Sequence, residues 1–221
     1  MSVAHSEETF LPTGQNSNQE YRVQAGILDW FSQLFIAPPS RKLLEQCFSA
    51  KIMAFLSEFG ETLEAPELTK MIADFFRNHS IDELDRTLSQ QFISLFDGAG
   101  GPCSVPPYES CYKDANGRLF QIPYVEMLDN LSRMDVSVSS ALKEPADHLA
   151  LEIAALAEAF RQQDEASING LLMRLTDWVP QMSTAVSQVA AASFYDQLLR
   201  LLVIYLTAFG CLVSNKDNFK L

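Results

Sequence analysis

Residues 95 to 112 read LFDGAGGPCSVPPYESCY, and this stretch divides the chain into two helical parts. Three glycines and three prolines between Gly98 and Pro107 exclude a helix, because proline lacks a backbone donor and glycine disfavours helical order. On both sides, apolar residues recur at spacings of three and four, the period of a helix with one buried face. The sequence therefore predicts an all-α fold, a compact bundle in two halves joined by this Gly/Pro-rich loop and a hinge.

Several helices can be placed from local signals. The first pattern begins at Tyr21, and Ser80 with Glu83 fits a capping box at the start of the helix before the loop. A short helix is predicted from Tyr124 to Met134, and a long one begins at Pro145, since proline favours the first helical turn. Pro180 is expected to end or restart the following helix.

The predicted organisation has three parts. Residues 1–19 are polar and form a flexible tail. Residues 20–140 form the N-terminal helical half, with the binding loop at residues 95–112, and residues 141–221 form the C-terminal half. No stretch shows the apolar–polar alternation of an exposed strand.

Composition limits the class of function. The 221 residues are 48% hydrophobic and carry a formal net charge of −12, which repels nucleic acid and anionic membranes and attracts cationic partners. The uncharged run from Leu201 to Val213 is shorter than the ~20 residues that span a bilayer, so we interpret it as a core helix and expect no membrane insertion. Four cysteines without a C-x-x-C pair indicate free thiols in a reduced compartment, and the start lacks the pattern of a secretory signal. We expect a cytoplasmic protein.

One candidate constellation is Glu144, His148 and Glu152, whose spacing of four would place them on one helix face. Such a set could hold a metal, and one candidate function is therefore that of a metal-dependent hydrolase. The sequence lacks an H-E-x-x-H motif, however, so a capped helix start with a solvated face or a polar binding wall are competing interpretations. Leu151, expected on an outer face among acids, favours a wall for a basic and apolar ligand.

The Gly/Pro-rich loop is the second candidate. Its glycines are not followed by the Lys-Ser/Thr of a phosphate-binding loop, and no histidine neighbours Cys103 or Cys111 as a catalytic base would. The loop is then either a rigid connection or a functional segment, and loops of this length in compact domains are more often functional.

Three motifs resemble a known family, the redox-enzyme maturation chaperones of the TorD/DmsD/NarJ type. The first is Leu95-Phe96 with Gly-Pro at 101–102 and Pro106-Pro107-Tyr108-Glu109-Ser110, and the second is Glu144-Pro145-Ala146-Asp147-His148. The third and weaker one is Trp178-Val179-Pro180 followed by Phe194-Tyr195-Asp196.

The resemblance, closest to the TorD branch, implies an all-helical protein without catalytic residues or a bound metal. It implies binding of the twin-arginine signal peptide and apo-form of a molybdoenzyme, trimethylamine N-oxide reductase or a related reductase, to aid cofactor insertion before export. It also implies weak guanine nucleotide binding and a homodimer formed by domain swapping, with the hinge at Val136 to Lys143.

Chemistry assigns roles within such a site. Guanidinium groups are best held by carboxylates, so Glu109, Glu144 and Asp147 are the candidates for the two arginines. Burial of the peptide's apolar side chains would supply most of the affinity, while the acids set specificity and association rate. The predicted peptide-binding residues are Phe92, Phe96, Pro107, Tyr108, Glu109, Ser110, Tyr112, Glu144, Asp147, His148 and Leu151.

Overall fold

A computed structural model describes residues 17–137 and 143–217 of the chain. These residues form ten α-helices, which confirms the predicted all-α class. The helices are α1 (Ser17–Ile36), α2 (Arg41–Cys47), α3 (Ala50–Thr62), α4 (Pro66–Arg77), α5 (Ile81–Leu95), α6 (Ser110–Lys113), α7 (Ile122–Arg133), α8 (Leu149–Gln162), α9 (Glu165–Ala190) and α10 (Phe194–Asp217).

Side-chain caps fix several helix starts. The Ser80 hydroxyl accepts the Glu83 N–H while the Glu83 carboxylate accepts the Ser80 N–H, which confirms the capping box of α5. Pro66 occupies the first turn of α4, where its missing N–H costs nothing. Asp164 accepts hydrogen bonds from the first backbone donors of α9.

The helices on both sides of the loop share one core. The outer elements α1 and α9 both pack against α8, and α10 packs against α9 and α4. Fully buried aromatics such as Phe31, Trp178 and Tyr195 lie in one continuous apolar cluster. The division into halves at residue 140 stays a prediction, and most of the predicted hinge, Val136 to Lys143, lies outside the described residues.

Three local expectations were wrong. The first helix begins at Ser17, within the predicted tail, whose residues 1–16 lie outside the described part of the chain. The long helix begins at Leu149 and not at Pro145. Pro180 neither ends nor restarts a helix: α9 continues through it, because buried residues on both sides of Pro180 offset the ~3 kcal/mol that an internal proline costs.

No helix within residues 17–137 and 143–217 combines the length and apolar character needed to cross a bilayer.

Candidate binding site

The two motifs on either side of residue 140 meet in space. The Glu109 N–H donates to the Asp147 carbonyl at 3.0 Å, and the Leu149 N–H donates to the Pro107 carbonyl at 2.8 Å. These two bonds form an isolated antiparallel bridge between Tyr108 and His148. The bridge joins the loop to the start of α8.

Asp147 fastens the loop with its side chain. Its carboxylate is fully buried and accepts hydrogen bonds from the Ser110 N–H at 3.0 Å and the Ser110 hydroxyl at 2.5 Å. The Ser110 hydroxyl in turn accepts the Gln121 N–H at 3.2 Å. Asp147 therefore holds the loop, the short helix α6 and the approach to α7 together.

His148 is the N-cap of α8. Its Nδ1 accepts the Ala150 N–H at 3.1 Å, and its ring packs edge-on to Tyr108 with centroids 5.1 Å apart. Burial lowers the pKa of His148 from 6.5 to about 4, although the nearby Glu144 and Asp147 carboxylates act in the opposite direction. The imidazole is therefore neutral at neutral pH, as an accepting Nδ1 requires.

This lowered pKa predicts a pH dependence of stability. Below pH 6.5 the unfolded chain takes up a proton at His148 that the folded chain refuses, so stability is present above 6.5 and lost as pH falls toward 4. We expect the stability difference between wild type and His148→Asn to shrink by up to about 3 kcal/mol over this range. Asparagine keeps the cap but does not titrate.

Urea unfolding of both proteins at a series of pH values measures this difference. Comparison with the variant cancels the titration of the surrounding carboxyl groups. Parallel curves for the two proteins between pH 6.5 and 4 would contradict the assignment.

The interior of the site is organised by the guanidinium of Arg174, a residue that the sequence analysis did not include in the site. Arg174 on α9 forms an ion pair with Glu109, contacts Glu152 at 3.2 Å and Glu126 at 3.2 Å, and donates to the Pro123 carbonyl at 2.5 Å. Its side chain is only 9% exposed. One side chain thus joins the loop, α7, α8 and α9.

Glu152 is the second centre of this cluster. It is fully buried and accepts the indole N–H of Trp178 at 3.0 Å in addition to its contact with Arg174. Burial raises the pKa of Glu152 well above its ordinary value, and repulsion from Glu109 adds to this. Burial also raises the pKa of Glu109, while Arg174 acts in the opposite direction. The sequence did contain an indication of this cluster. Arg174 lies four residues before Trp178 within an apolar stripe, where a charged side chain is expected to have buried partners.

The accessible part of the site lies around Tyr108. The half-buried Tyr108 donates its hydroxyl to Glu144 at 2.6 Å. Asp97 is exposed, and its pKa is raised by partial burial and by the nearby Glu144 carboxylate. The sequence prediction did not include Asp97, although it lies within the Gly/Pro-rich stretch.

Several predicted site residues lie in the interior, contrary to the expected groove. Phe92 and Phe96 pack against Tyr195 in the core and are 3% and 6% exposed. Leu151 is 8% exposed, because α8 is covered by α1 and α9 and ten of its 14 residues are buried. Tyr112 is half-buried against Trp178. Also buried are Pro107, Glu109, Ser110, Asp147 and His148.

The constellation proposed for a hydrolase does not form. Glu144 and His148 precede α8, so the three residues do not share a helix face, and Glu152 is paired with Arg174 in the interior. In the part of the chain that the structure describes, no three His, Cys, Asp or Glu side chains are grouped as a metal site would require.

Comparison with known proteins agrees with this architecture. A family model described as the nitrate reductase delta subunit matches residues 45–184. Chaperone protein TorD from Vibrio parahaemolyticus is 30% identical over 202 residues, covering 82% of this chain and 90% of that protein. TorD from Aliivibrio salmonicida is 28% identical over 199 residues, covering 83% and 91%.

A solved structure shows the same fold. It is from Archaeoglobus fulgidus, is described as a redox enzyme maturation protein, and aligns with a TM-score of 0.53 at 20% identity over 91% of this chain and 99% of the other. The family model and the TorD relatives confirm the resemblance drawn from the motifs. The chain belongs to the family of redox-enzyme maturation chaperones that includes TorD and the nitrate reductase delta subunit.

Proposed function

We propose that this protein binds the twin-arginine signal peptide of a redox enzyme in its apo-form, in the cytoplasm, and holds the enzyme until its molybdenum cofactor is inserted. The client would be trimethylamine N-oxide reductase or a related reductase. Membership of the chaperone family supports this role, and the protein acts by binding and not by catalysis. The observation that carries the proposal is that hydrogen bonds join the two family motifs into one unit, from which Tyr108 and Glu144 reach solvent.

The accessible carboxylates decide where the arginines bind. Partial burial and, in addition, the nearby Glu144 carboxylate raise the pKa of Asp97, and both carboxyl groups can be reached from solvent. Two neighbouring guanidiniums would relieve this repulsion between the carboxylates and add charge-assisted hydrogen bonds. The Tyr108 hydroxyl, bonded to Glu144, would orient that carboxylate.

Glu109 and Asp147 have a different role in this proposal. The first is 5% exposed and paired with Arg174, and the second is fully buried and bonded to Ser110. Both would act through the position of the loop and not by contact with the peptide.

We expect the double variant Asp97→Asn, Glu144→Gln to bind a synthetic peptide about 2- to 30-fold more weakly, since each exposed pair contributes ~0.2–1 kcal/mol. The peptide carries two adjacent arginines followed by an uncharged leucine and alanine run. Calorimetric titration at low and high salt measures the affinity, and the salt dependence should fall in the variant.

The matched control is Glu58→Gln, Asp85→Asn, which removes the same charge from exposed positions on α3 and α5. If both double variants bind the peptide equally weakly, the loss of affinity comes from the change in net charge and not from the site. If the wild type fails to bind the peptide at all, the proposed function is wrong.

A further inference from the structure

Exposed apolar side chains are concentrated on one short segment. Five of the eleven exposed large hydrophobic residues among the described residues lie between Leu119 and Leu128. They are Leu119 (39% exposed), Phe120 (59%), Ile122 (73%), Val125 (61%) and Leu128 (44%). Single exposed apolar residues are normal, but a contiguous group is typical of a binding surface.

The helical period places these residues on one side of α7. Pro123, Met127 and Leu131 are buried. Ile122 and Val125 lie on the opposite face, with Leu128 at its edge. Together with Leu119 and Phe120 they form the surface called here the outer face of α7.

Phe120 is held in this surface at a conformational cost. Its φ is 57°, in the left-handed region, which costs a bulky L-residue ~1–2 kcal/mol. Its ring lies 5.1 Å from that of Tyr124 yet stays 59% exposed. Backbone strain at an aromatic residue that stays exposed is not explained by packing, and such strain is typical of functional sites.

The helix α7 is joined to the loop described above. Arg174 binds both Glu109 of the loop and Glu126 of α7, so one guanidinium separates the two elements. The Gln121 N–H, just before α7, donates to the Ser110 hydroxyl of the loop. The loop that carries Tyr108 is therefore fixed next to α7, which places the two surfaces on adjoining elements.

We propose that the outer face of α7 binds the apolar run of the client's signal peptide, while its arginines bind at Asp97 and Glu144. This rests on the proposed function and assigns its apolar subsite. A helical segment with apolar residues three and four apart would pack along the stripe from Ile122 to Leu128.

Charge distinguishes this occupant from others. Glu126 and Asp129 border the stripe but are paired with Arg174 and Arg133. The preference for an apolar segment that follows basic residues therefore comes from the Asp97 and Glu144 carboxylates and from the net charge of −12. A second copy would bring together two chains that each carry −12, and anionic lipid would be repelled by the same net charge.

The test uses the double variant Ile122→Ser, Val125→Ser and two peptides, one with the leucine run and one with its leucines replaced by serine. We expect the variant to bind the leucine peptide about 10- to 30-fold more weakly than wild type does, because a docked peptide covers only part of each side chain. The serine peptide should bind both proteins equally weakly, because the coupling between run and face is then absent. The matched control is Val23→Ser on α1, another exposed valine, which should bind the leucine peptide as wild type does.

A second measurement does not depend on weakened binding. Phe120→Trp places an indole on the outer face of α7, and the leucine peptide should shift its emission to shorter wavelength while the serine peptide should not. Unchanged affinity in the double variant, or an unshifted indole, with wild-type binding intact would overturn this inference alone. Absence of any wild-type binding would overturn the proposed function as well. A wild-type dimer that the double variant converts to monomer would assign the face to a second copy and overturn the inference too.

Discussion

Replacement of Arg174 by methionine should lower the free energy of unfolding by about 3–5 kcal/mol, the largest effect expected from a single substitution in this site. The guanidinium is 9% exposed and is the cation between the buried Glu109 and Glu152 carboxyls. Without it, the carboxyls must either stay charged without a partner or take up protons, and the Pro123 carbonyl loses a donor.

Urea unfolding at pH 7 measures this loss, and two further variants make it specific. Glu126→Gln removes the one carboxylate partner of Arg174 that is 59% exposed, so its cost should stay below about 1 kcal/mol. Glu109→Gln with Glu152→Gln, added to Arg174→Met, should recover part of the stability because no buried charge then lacks a partner. If Arg174→Met costs no more than Glu126→Gln, the guanidinium does not hold the elements together.

The second large effect is expected for Asp147→Ala, with a loss of about 2–4 kcal/mol and weaker binding of the twin-arginine peptide. The carboxylate is fully buried and accepts two hydrogen bonds from Ser110. Its removal leaves a buried N–H and hydroxyl without their acceptor and releases the loop that carries Tyr108. Asp147 lies outside the helices, just before α8, so the helical circular dichroism signal should persist.

Two measurements separate these effects. Urea unfolding gives the stability, and amide hydrogen exchange at Glu109 and Leu149, the two donors of the bridge, reports release of the loop. Ser110→Ala should cost less than Asp147→Ala, because the Ser110 N–H keeps its bond to the carboxylate. The exposed Asp85→Ala should stay within about 0.5 kcal/mol of wild type. Unchanged protection at both amides in Asp147→Ala would show that the side chain does not fasten the loop.

Much of the helical architecture followed from periodicity and caps, because these signals are local. The Ser80–Glu83 capping box was found where the sequence placed it, at the start of α5. The meeting of the loop with the segment before α8 was predicted only by the resemblance. No local signal connects Ser110 with Asp147, which are 37 positions apart.

The burial of Leu151 and Glu152 could not be predicted from the same rules. A one-sided stripe is expected where a helix faces a single layer, but α8 is covered on two sides, so positions assigned to solvent were interior. The Arg174 cluster was missed for a related reason. Its partners come from the loop, α7 and α8, and only the folded chain brings them to one guanidinium.

The bridge between Tyr108 and His148 also has a consequence for the order of events during synthesis. Its bonds join segments far apart along the chain, and the loop is further held by Arg174 of α9. Contacts between segments that are far apart in sequence form late in folding, after the local helices have formed. A chain still growing from the ribosome that has not yet reached Arg174 has its earlier helices but lacks the guanidinium that holds the loop. Under the proposed function, a chain at that stage would not yet be able to hold a client's signal peptide.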